Sequence, residues 1–197
     1  MEMTANWHCR DRLGEWLLES LAETLGEEQM KALTARFDGG GESAEAGLNE
    51  VLAALEDWFG QPGSQGMSVQ AGRNAFNLLL QKQGEELGWF SQRFRLLPKS
   101  RRIHEGLSDL LKFLVELCGT SIRLEEDEHG WCCTAEGCAW GGMDGGNLDL
   151  CYFQQGLLQE FMVWASGGRL HLVNVAACAT QGEPVCEIRI ARQPLEA

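Results

Sequence analysis

Basic residues are scarce in this chain. Sixteen lysines and arginines stand against 29 aspartates and glutamates, which gives a formal net charge of -13 at pH 7. A surface with this charge repels polyanions, so nucleic acid and anionic membrane surfaces are excluded as non-specific partners. One short basic cluster, at residues 93–102, is interpreted as the solvated start of a helix, and a phosphate or partner site there stays an alternative.

Long apolar runs are also missing. No segment approaches the ~20 consecutive apolar residues that a membrane-spanning helix needs. The N-terminus has no basic start followed by an apolar stretch, which a secretory signal would show. We therefore expect a cytoplasmic protein without a transmembrane segment. The chain ends a few residues past its last predicted strand, so we expect a free-standing domain or one that works through a partner.

Motifs for nucleotide binding and catalysis are absent as well. No glycine-rich dinucleotide fingerprint follows a predicted strand, and there is no P-loop. The acidic run from Glu125 to Glu128 is interpreted as a solvated turn, and no Ser/His/Asp or paired-carboxylate arrangement is recognisable. Catalysis by this chain alone is not expected, although the sequence leaves open whether the protein is an enzyme.

Apolar residues at three- and four-residue intervals predict that the N-terminal third is helical. One helix ends at Gly26, a second carries Met30, Leu33 and Phe37, and a third ends at Phe59. The stretch 60–66, GQPGSQG, is interpreted as a loop and as a domain boundary, with a long connection inside one domain as the alternative. It divides the chain into a helical N-terminal extension, residues 1–66, and a ligand-binding domain, residues 67–197.

Three helices are predicted in the second part. The first is capped by Ser68 and contains Gly72, which either permits close approach of another element or is a tolerated surface glycine. The longest apolar stripe, from Ile103 to Cys118, predicts the central core helix. The last helix runs from Leu150 to Trp164 and stops at Gly167-Gly168.

Two strand pairs flank this last helix. The apolar period becomes two at residues 121–136, around a turn at 126–130, and again at residues 170–190, around a turn at 181–184. Strands from two hairpins can join in one antiparallel sheet with helices packed on it. The predicted fold class is therefore α+β.

Eight cysteines are many for a reducing compartment, where persistent disulfides are rare. Cys178 lies where one strand of the second hairpin enters the turn, and Cys186 lies where the other strand leaves it. Cys151 lies at the start of the preceding helix, so three thiols are predicted to converge. A bound metal, packed reduced thiols and a Cys178–Cys186 disulfide stay open as alternatives.

Part of the sequence resembles the 4-vinyl reductase domain, also called the hydrocarbon-binding domain. The resemblance covers roughly residues 67 to 192 and is carried by Gly156, Leu157, Trp164, Gly167-Gly168 and the pattern Cys178-Ala179-x-x-Gly182-x-x-x-Cys186-x-Ile188-x-Ile190. It implies a fold related to the vesicle-tethering TRAPP subunits and a homodimer. It also implies a pocket for a small apolar ligand between sheet and helices.

The resemblance also implies a zinc site at Cys151, Cys178 and Cys186. Sensor members of the family add a glutamate where this chain has Val175. A structural zinc ion commonly takes four ligands, so the fourth would come from elsewhere. The candidates are Cys133, Cys138 and His171, of which His171 is disfavoured because alternation places it on the opposite strand face from Leu172. Four thiolates would also suit an iron–sulfur cluster, but the spacing matches no standard cluster motif.

Aromatic and histidine side chains are the candidates for the ligand pocket. His104 and Trp131 fall near the positions where aromatic-sensing relatives hold a ligand hydroxyl, judged by their distance from Cys151. The predicted ligand-binding residues are His104, Trp131, Phe94, Trp89 and Tyr152. A histidine also offers an axial ligand to the metal of a tetrapyrrole, on which aromatic rings would stack.

These patterns lead to one hypothesis and two alternatives. The hypothesis is non-catalytic binding of a small apolar or tetrapyrrole-type ligand, as an auxiliary factor in chlorophyll or bacteriochlorophyll synthesis or photosystem assembly. One alternative is a protein-interaction scaffold with a self-filled pocket, which docks a partner through exposed Trp7, Trp16 and Trp58. The other is an accessory subunit of a vinyl-reducing enzyme.

Overall fold

The computed structural model describes residues 16–35, 44–118, 121–136 and 148–195. Within these ranges a four-stranded antiparallel sheet packs against helices, which confirms the predicted α+β class; the finer TRAPP-like fold stays a prediction. No helix in these ranges is long and apolar enough to cross a membrane. The elements in chain order are α1 (residues 16–25), α2 (Glu27–Thr34), α3 (Ala44–Gln83), α4 (Gln92–Arg95), α5 (Lys99–Cys118), β1 (Ile122–Glu126), β2 (Gly130–Glu136), α6 (Leu148–Ser166), β3 (His171–Ala177), a 3₁₀ turn (Ala179–Gln181) and β4 (Val185–Pro194).

Helices α1 and α2 bury an apolar stripe against the rest of the protein. Leu17, Leu21 and Leu25 recur at four-residue intervals and are buried, and Leu33 of α2 joins the same core. Gly26 separates the two helices with a φ of 83°, a conformation that favours glycine. The predicted helix positions at Phe37 and earlier than residue 16 lie outside the described residues.

The prediction that Trp16 and Trp58 are exposed is wrong. Both side chains are half-buried and pack against the core. The Trp16 indole N–H donates to the Ala75 carbonyl over 3.2 Å, and its ring meets Phe153 edge-on. Trp7 lies outside the described residues. Apolar burial explains these positions better than a docking role does, because a ring seated on the core leaves little surface for a partner.

Residues 60–66 do not form a loop. Gly60, with φ 68° and ψ 166°, kinks α3, and the helix resumes at the next residue. Pro62 is accommodated because an N–H in the first turn of a helix has no intrahelical partner to lose. Ser68 is buried within the helix, so the predicted loop and the predicted cap are both wrong. Glycine and proline mark the start of a helical segment here.

A single apolar core includes buried side chains from both sides of Gly60. It extends from Leu17 in α1 to Ile190 in β4. The division of the chain at residue 66 stays a prediction.

Helix α6 is the most enclosed helix of the described chain. None of its residues from 149 to 166 is exposed, and it packs against α3, α5 and β3. The prediction that the central helix is α5 is wrong, because α5 exposes one face, with His104 and Lys112 on it. A long apolar stripe indicates one buried face, whereas α6 has no fully exposed residue from 149 to 166.

The sheet has the order β1-β2-β4-β3, and all neighbouring strands are antiparallel. The two predicted hairpins are confirmed, and pairing of β2 with β4 joins them. Ala135 of β2 lies opposite Cys186 of β4. On β3, His171 is buried and Leu172 is exposed, so the inward face of this strand carries the histidine.

Candidate functional site

Three cysteines from separate elements meet at the start of α6. Cys151 lies in the first turn of α6, Cys178 follows β3, and Cys186 is the second residue of β4. The Cys151 sulfur lies 3.0 Å from that of Cys178 and 3.9 Å from that of Cys186, and the latter two lie 4.0 Å apart. All three are buried and form no disulfide with one another. The predicted convergence is confirmed, and the Cys178–Cys186 disulfide is not formed. These residues are the thiol cluster.

Local backbone geometry brings the two hairpin thiols together. A register shift between Val175 and Ala177 ends regular pairing just before Cys178. The 3₁₀ turn follows, closed by the Gln181 N–H, which donates to the Cys178 carbonyl over 2.9 Å. Gly182 then reverses the chain with a φ of 90°, which a side chain would strain. The return strand therefore starts next to the turn.

Two groups in the turn contact sulfur. The Ala179 N–H donates to the Cys186 sulfur over 3.3 Å, and the Thr180 hydroxyl lies 3.0 Å from the Cys178 sulfur. Outer contacts of this kind orient metal ligands and stabilise the charge of a bound thiolate. The turn thus supplies part of the shell around both hairpin thiols.

The spacing of the thiols suits a tetrahedral metal. With metal–sulfur distances near 2.3 Å, a tetrahedral site holds its sulfurs about 3.8 Å apart. Both distances from Cys186 agree with this value, and the Cys151–Cys178 contact would widen by less than about 1 Å. Three thiols already lie at suitable distances for a metal ion, and a structural site would need a fourth ligand.

Two of the three predicted fourth ligands do not join the thiol cluster. Among the described residues, the three cysteines group together as possible metal ligands, and neither Cys133 nor His171 joins them. Burial raises the pKa of the Cys133 thiol to about 12, which disfavours the thiolate. His171 lies at the opposite end of β3. Cys138 lies outside the described residues, and Val175 packs its apolar side chain against the cluster.

A small, partly open cavity lies beside the thiol cluster, between the sheet and helices α5 and α6. Its volume is about 20 Å³, and its lining is mostly apolar. We call it the interior cavity. Cys186 lines it and also belongs to the thiol cluster. Gln154 of α6 contributes a side-chain amide to the lining of the interior cavity. The residue is 9% exposed, and its Nε2 has no hydrogen-bond partner in the described structure.

A surface groove of about 600 Å³ runs along the outside of the protein between α5 and β1. We call it the outer groove. Leu111 and Ile122 line both the outer groove and the interior cavity. Their side chains therefore form the wall between the two spaces.

Two predicted ligand-binding residues, Trp89 and Phe94, belong to a buried cluster of aromatic rings. The Trp89 and Trp164 ring centroids lie 5.3 Å apart, and Phe94 stacks on Trp164 with centroids 5.8 Å apart and planes 15° apart. Phe76 and Phe161 complete the cluster. Neither Trp89 nor Phe94 lines the interior cavity.

Two other predicted residues, His104 and Trp131, contact a charged pair at the edge of the sheet. His104 Nδ1 lies 2.6 Å from one oxygen of Glu126, and Arg192 donates to the other oxygen over 2.7 Å. The Arg192 guanidinium also lies 5.1 Å from the ring centroid of the buried Trp131. Burial acts to raise the pKa of Glu126, but the hydrogen bonds from Arg192 and His104 outweigh it and hold that pKa below its usual value. These contacts tie α5 to β1 and β4.

Tyr152, the fifth predicted residue, is partly buried on α6. The structure brings Trp89 and Phe94 into one cluster and places none of the five on the interior cavity. Their role in ligand binding stays a prediction. The sequence reasoning missed Gln154, although a signal was present: the buried stripe through Leu150, Leu157 and Phe161 passes through position 154.

The chain shares its fold with H-NOX proteins. A solved structure of the Fe(II) unliganded H-NOX protein from K. algicida aligns with a TM-score of 0.52 at 10% sequence identity, over 95% of this chain and 97% of that chain. An alanine-to-glycine mutant of the same protein aligns with a TM-score of 0.53 at 10% identity, over 92% of this chain and 94% of that chain. At this identity the likeness shows the fold alone. No protein-family model and no curated protein matches the chain.

Proposed function

We propose that this chain is a non-catalytic binding domain for a small apolar molecule and that the interior cavity is the closed form of its pocket. The observation that carries the proposal is a small, mostly apolar space lined by Gln154, whose buried Nε2 has no hydrogen-bond partner. Small-molecule sites are typically concave and apolar, with a few polar groups that orient the ligand. The H-NOX neighbours, described as unliganded Fe(II) proteins, support the same class of function.

A tetrapyrrole is the larger ligand that the sequence predicts. No described histidine lines the interior cavity, and a macrocycle is far larger than its volume of about 20 Å³, so a tetrapyrrole would need a larger rearrangement than a molecule with a single ring does. A pigment ligand, and with it a role in chlorophyll or bacteriochlorophyll synthesis or photosystem assembly, would need α5 or the aromatic cluster to move. Soret or Q-type absorption bands in stoichiometric amount, in protein purified from its native host, would establish a pigment and contradict the small-ligand proposal.

We also propose that the thiol cluster holds a structural metal ion, with zinc the best match to its sulfur donors. The support is the convergence of three buried thiols at near-tetrahedral spacing and the two contacts from the turn. The ion would fasten the β3–β4 hairpin to the start of α6, since its ligands come from these elements. Metal content by mass spectrometry tests this part separately from ligand binding.

The apolar pocket is tested by calorimetric titration with ethylbenzene. We expect binding to the wild-type protein and its loss in Ala135→Leu, because Ala135 lines the interior cavity and a larger side chain would fill it. Ala176→Leu is the matched control, since Ala176 lies on the solvent face of β3. Binding that survives in Ala135→Leu would place the ligand elsewhere, and no binding to folded wild-type protein would contradict the proposal.

The remaining alternatives have their own readouts. If a vinyl substrate is reduced only when a cofactor and partner subunits are present, the hypothesis of an accessory subunit of a vinyl-reducing enzyme is favoured. A stable complex with another protein, together with no ligand binding, would favour the hypothesis of a protein-interaction scaffold. The predicted homodimer stays a prediction, which sedimentation of the purified protein tests.

A further inference from the structure

We infer that Gln154 determines the specificity of the pocket and that the ligand carries a hydrogen-bond acceptor on an otherwise apolar body. The inference rests on the proposed function and names the ligand class for the same site. It also assigns the entry route, between α5 and β1.

Gln154 differs from the other glutamines nearby on α6. Gln155 donates to the Val173 carbonyl over 2.9 Å, and Gln159 accepts from Arg73 over 3.0 Å. Gln154, in contrast, lines the interior cavity, and its Nε2 is buried without a hydrogen-bond partner. A buried donor left unpaired destabilises the fold, and such groups are rare in native proteins. A ligand acceptor would supply the missing hydrogen bond.

A buried water is the simplest competing occupant. The cavity has room for about one water molecule, but a buried water typically makes about three hydrogen bonds. Apart from Gln154, the polar side-chain atoms that line the cavity are the sulfurs of Cys133 and Cys186, which are weak partners. A water would therefore be poorly satisfied. An apolar molecule with one acceptor suits both the amide and the surrounding carbon.

In this proposal the ligand enters through the wall that the interior cavity shares with the outer groove. Leu111 and Ile122 are the two residues that line both the interior cavity and the outer groove, and their side chains separate the two spaces. Ile122 lies on β1, an edge strand with one neighbour, so this side of the sheet has fewer contacts to hold it. Outward rotation of the two side chains joins about 20 Å³ to a groove of about 600 Å³, which gives room for a molecule with a single ring.

The test compares two probes of one shape, ethylbenzene and acetophenone, which differ by a carbonyl in place of a methylene group. Affinities are measured for the wild type and for Gln154→Leu, which keeps the volume and removes the donor. We expect the ratio of acetophenone to ethylbenzene affinity to be about 10-fold higher in the wild type, the size of one good hydrogen bond. Gln155→Leu is the matched control on the same helix and should leave the ratio unchanged.

The outcomes separate the inference from the proposed function. If both probes bind and their ratio is the same in wild type and Gln154→Leu, the role of Gln154 is overturned and the pocket stands. If neither probe binds, the proposed function fails. The NMR signals of the Gln154 side-chain amide should also lie further downfield with acetophenone bound than with ethylbenzene bound, because only acetophenone accepts a hydrogen bond.

The entry route has a separate kinetic test. Leu111→Ala should raise the association rate constant of both probes several-fold, because it thins the wall between the outer groove and the interior cavity. Ser108→Ala, on the outer groove but not on the cavity, is the control. An unchanged rate constant in Leu111→Ala would overturn this route.

Discussion

Gly72 and Gly156 bring the backbones of α3 and α6 into direct contact. A Cβ on Gly72 would overlap the Phe153 carbonyl, and a Cβ on Gly156 would overlap the Val69 carbonyl. The absence of both side chains lets the helices cross at backbone distance. This confirms the predicted alternative in which Gly72 permits close approach of another element. The crossing seats α6 firmly, and α6 carries both Cys151 and Gln154.

Alanine at either glycine should destabilise the protein. We expect Gly156→Ala and Gly72→Ala each to lower the free energy of unfolding by about 2 kcal/mol or more, because main chain cannot move aside as a flexible side chain can. Gly66→Ala in α3 is the control: a Cβ there meets nothing within 4 Å, and we expect a gain of up to about 1 kcal/mol from helix propensity. Urea denaturation measures all three, and equal effects would contradict the crossing.

Removal of a cluster thiol should remove the metal. We expect Cys151→Ser to lose stoichiometric metal and its thermal stabilisation, which is about 2.7 kcal/mol when free metal is 100-fold above the dissociation constant. Cys132→Ser is the control, because Cys132 lies outside the thiol cluster. Mass spectrometry and thermal melts with and without chelator are the measurements. Metal retained in Cys151→Ser, or none in the wild type, would refute the site.

The ion pair between Glu126 and Arg192 should make the free energy of unfolding depend on pH. The folded-state pKa of Glu126 is lowered, so its contribution is complete above the ordinary carboxyl pKa and is lost as pH falls through the folded value. We expect Glu126→Gln to lower the free energy of unfolding at pH 7 by about 0.5–1 kcal/mol and to matter progressively less below about pH 4.5. Denaturation at pH 7, 5 and 3.5 checks this. Glu125→Gln, on the exposed neighbour, should show no such trend.

Gln154→Leu should stabilise the ligand-free protein. Replacement of a buried, unpaired amide by an apolar side chain of similar size removes a desolvation cost, and we expect a gain of about 1 kcal/mol. Urea denaturation without ligand is the measurement, with Gln155→Leu as the comparison. Gln155→Leu should destabilise, because it breaks the bond to the Val173 carbonyl. A loss of stability in Gln154→Leu would mean that the amide is already satisfied.

The spacing of apolar residues predicted the secondary-structure elements well where the structure is local. The α6 helix, its stop at Gly167-Gly168 and the hairpin that follows were all predicted correctly, because 3.6- and two-residue periods report burial on one face. The same patterns misled at residues 60–66. There glycine and proline are compatible with both a loop and the first turn of a helix, and composition does not distinguish the two.

What the sequence by itself determined is the last helix, the two hairpins and the meeting of Cys151, Cys178 and Cys186, since a hairpin and its preceding helix leave few ways to place the three thiols. Only the tertiary structure decided that α6 rather than α5 is enclosed, that two glycines form a helix crossing, and that Gln154 lies unpaired at a cavity. These features depend on which faces of distant elements meet. Such long-range packing leaves no periodic trace in either partner alone.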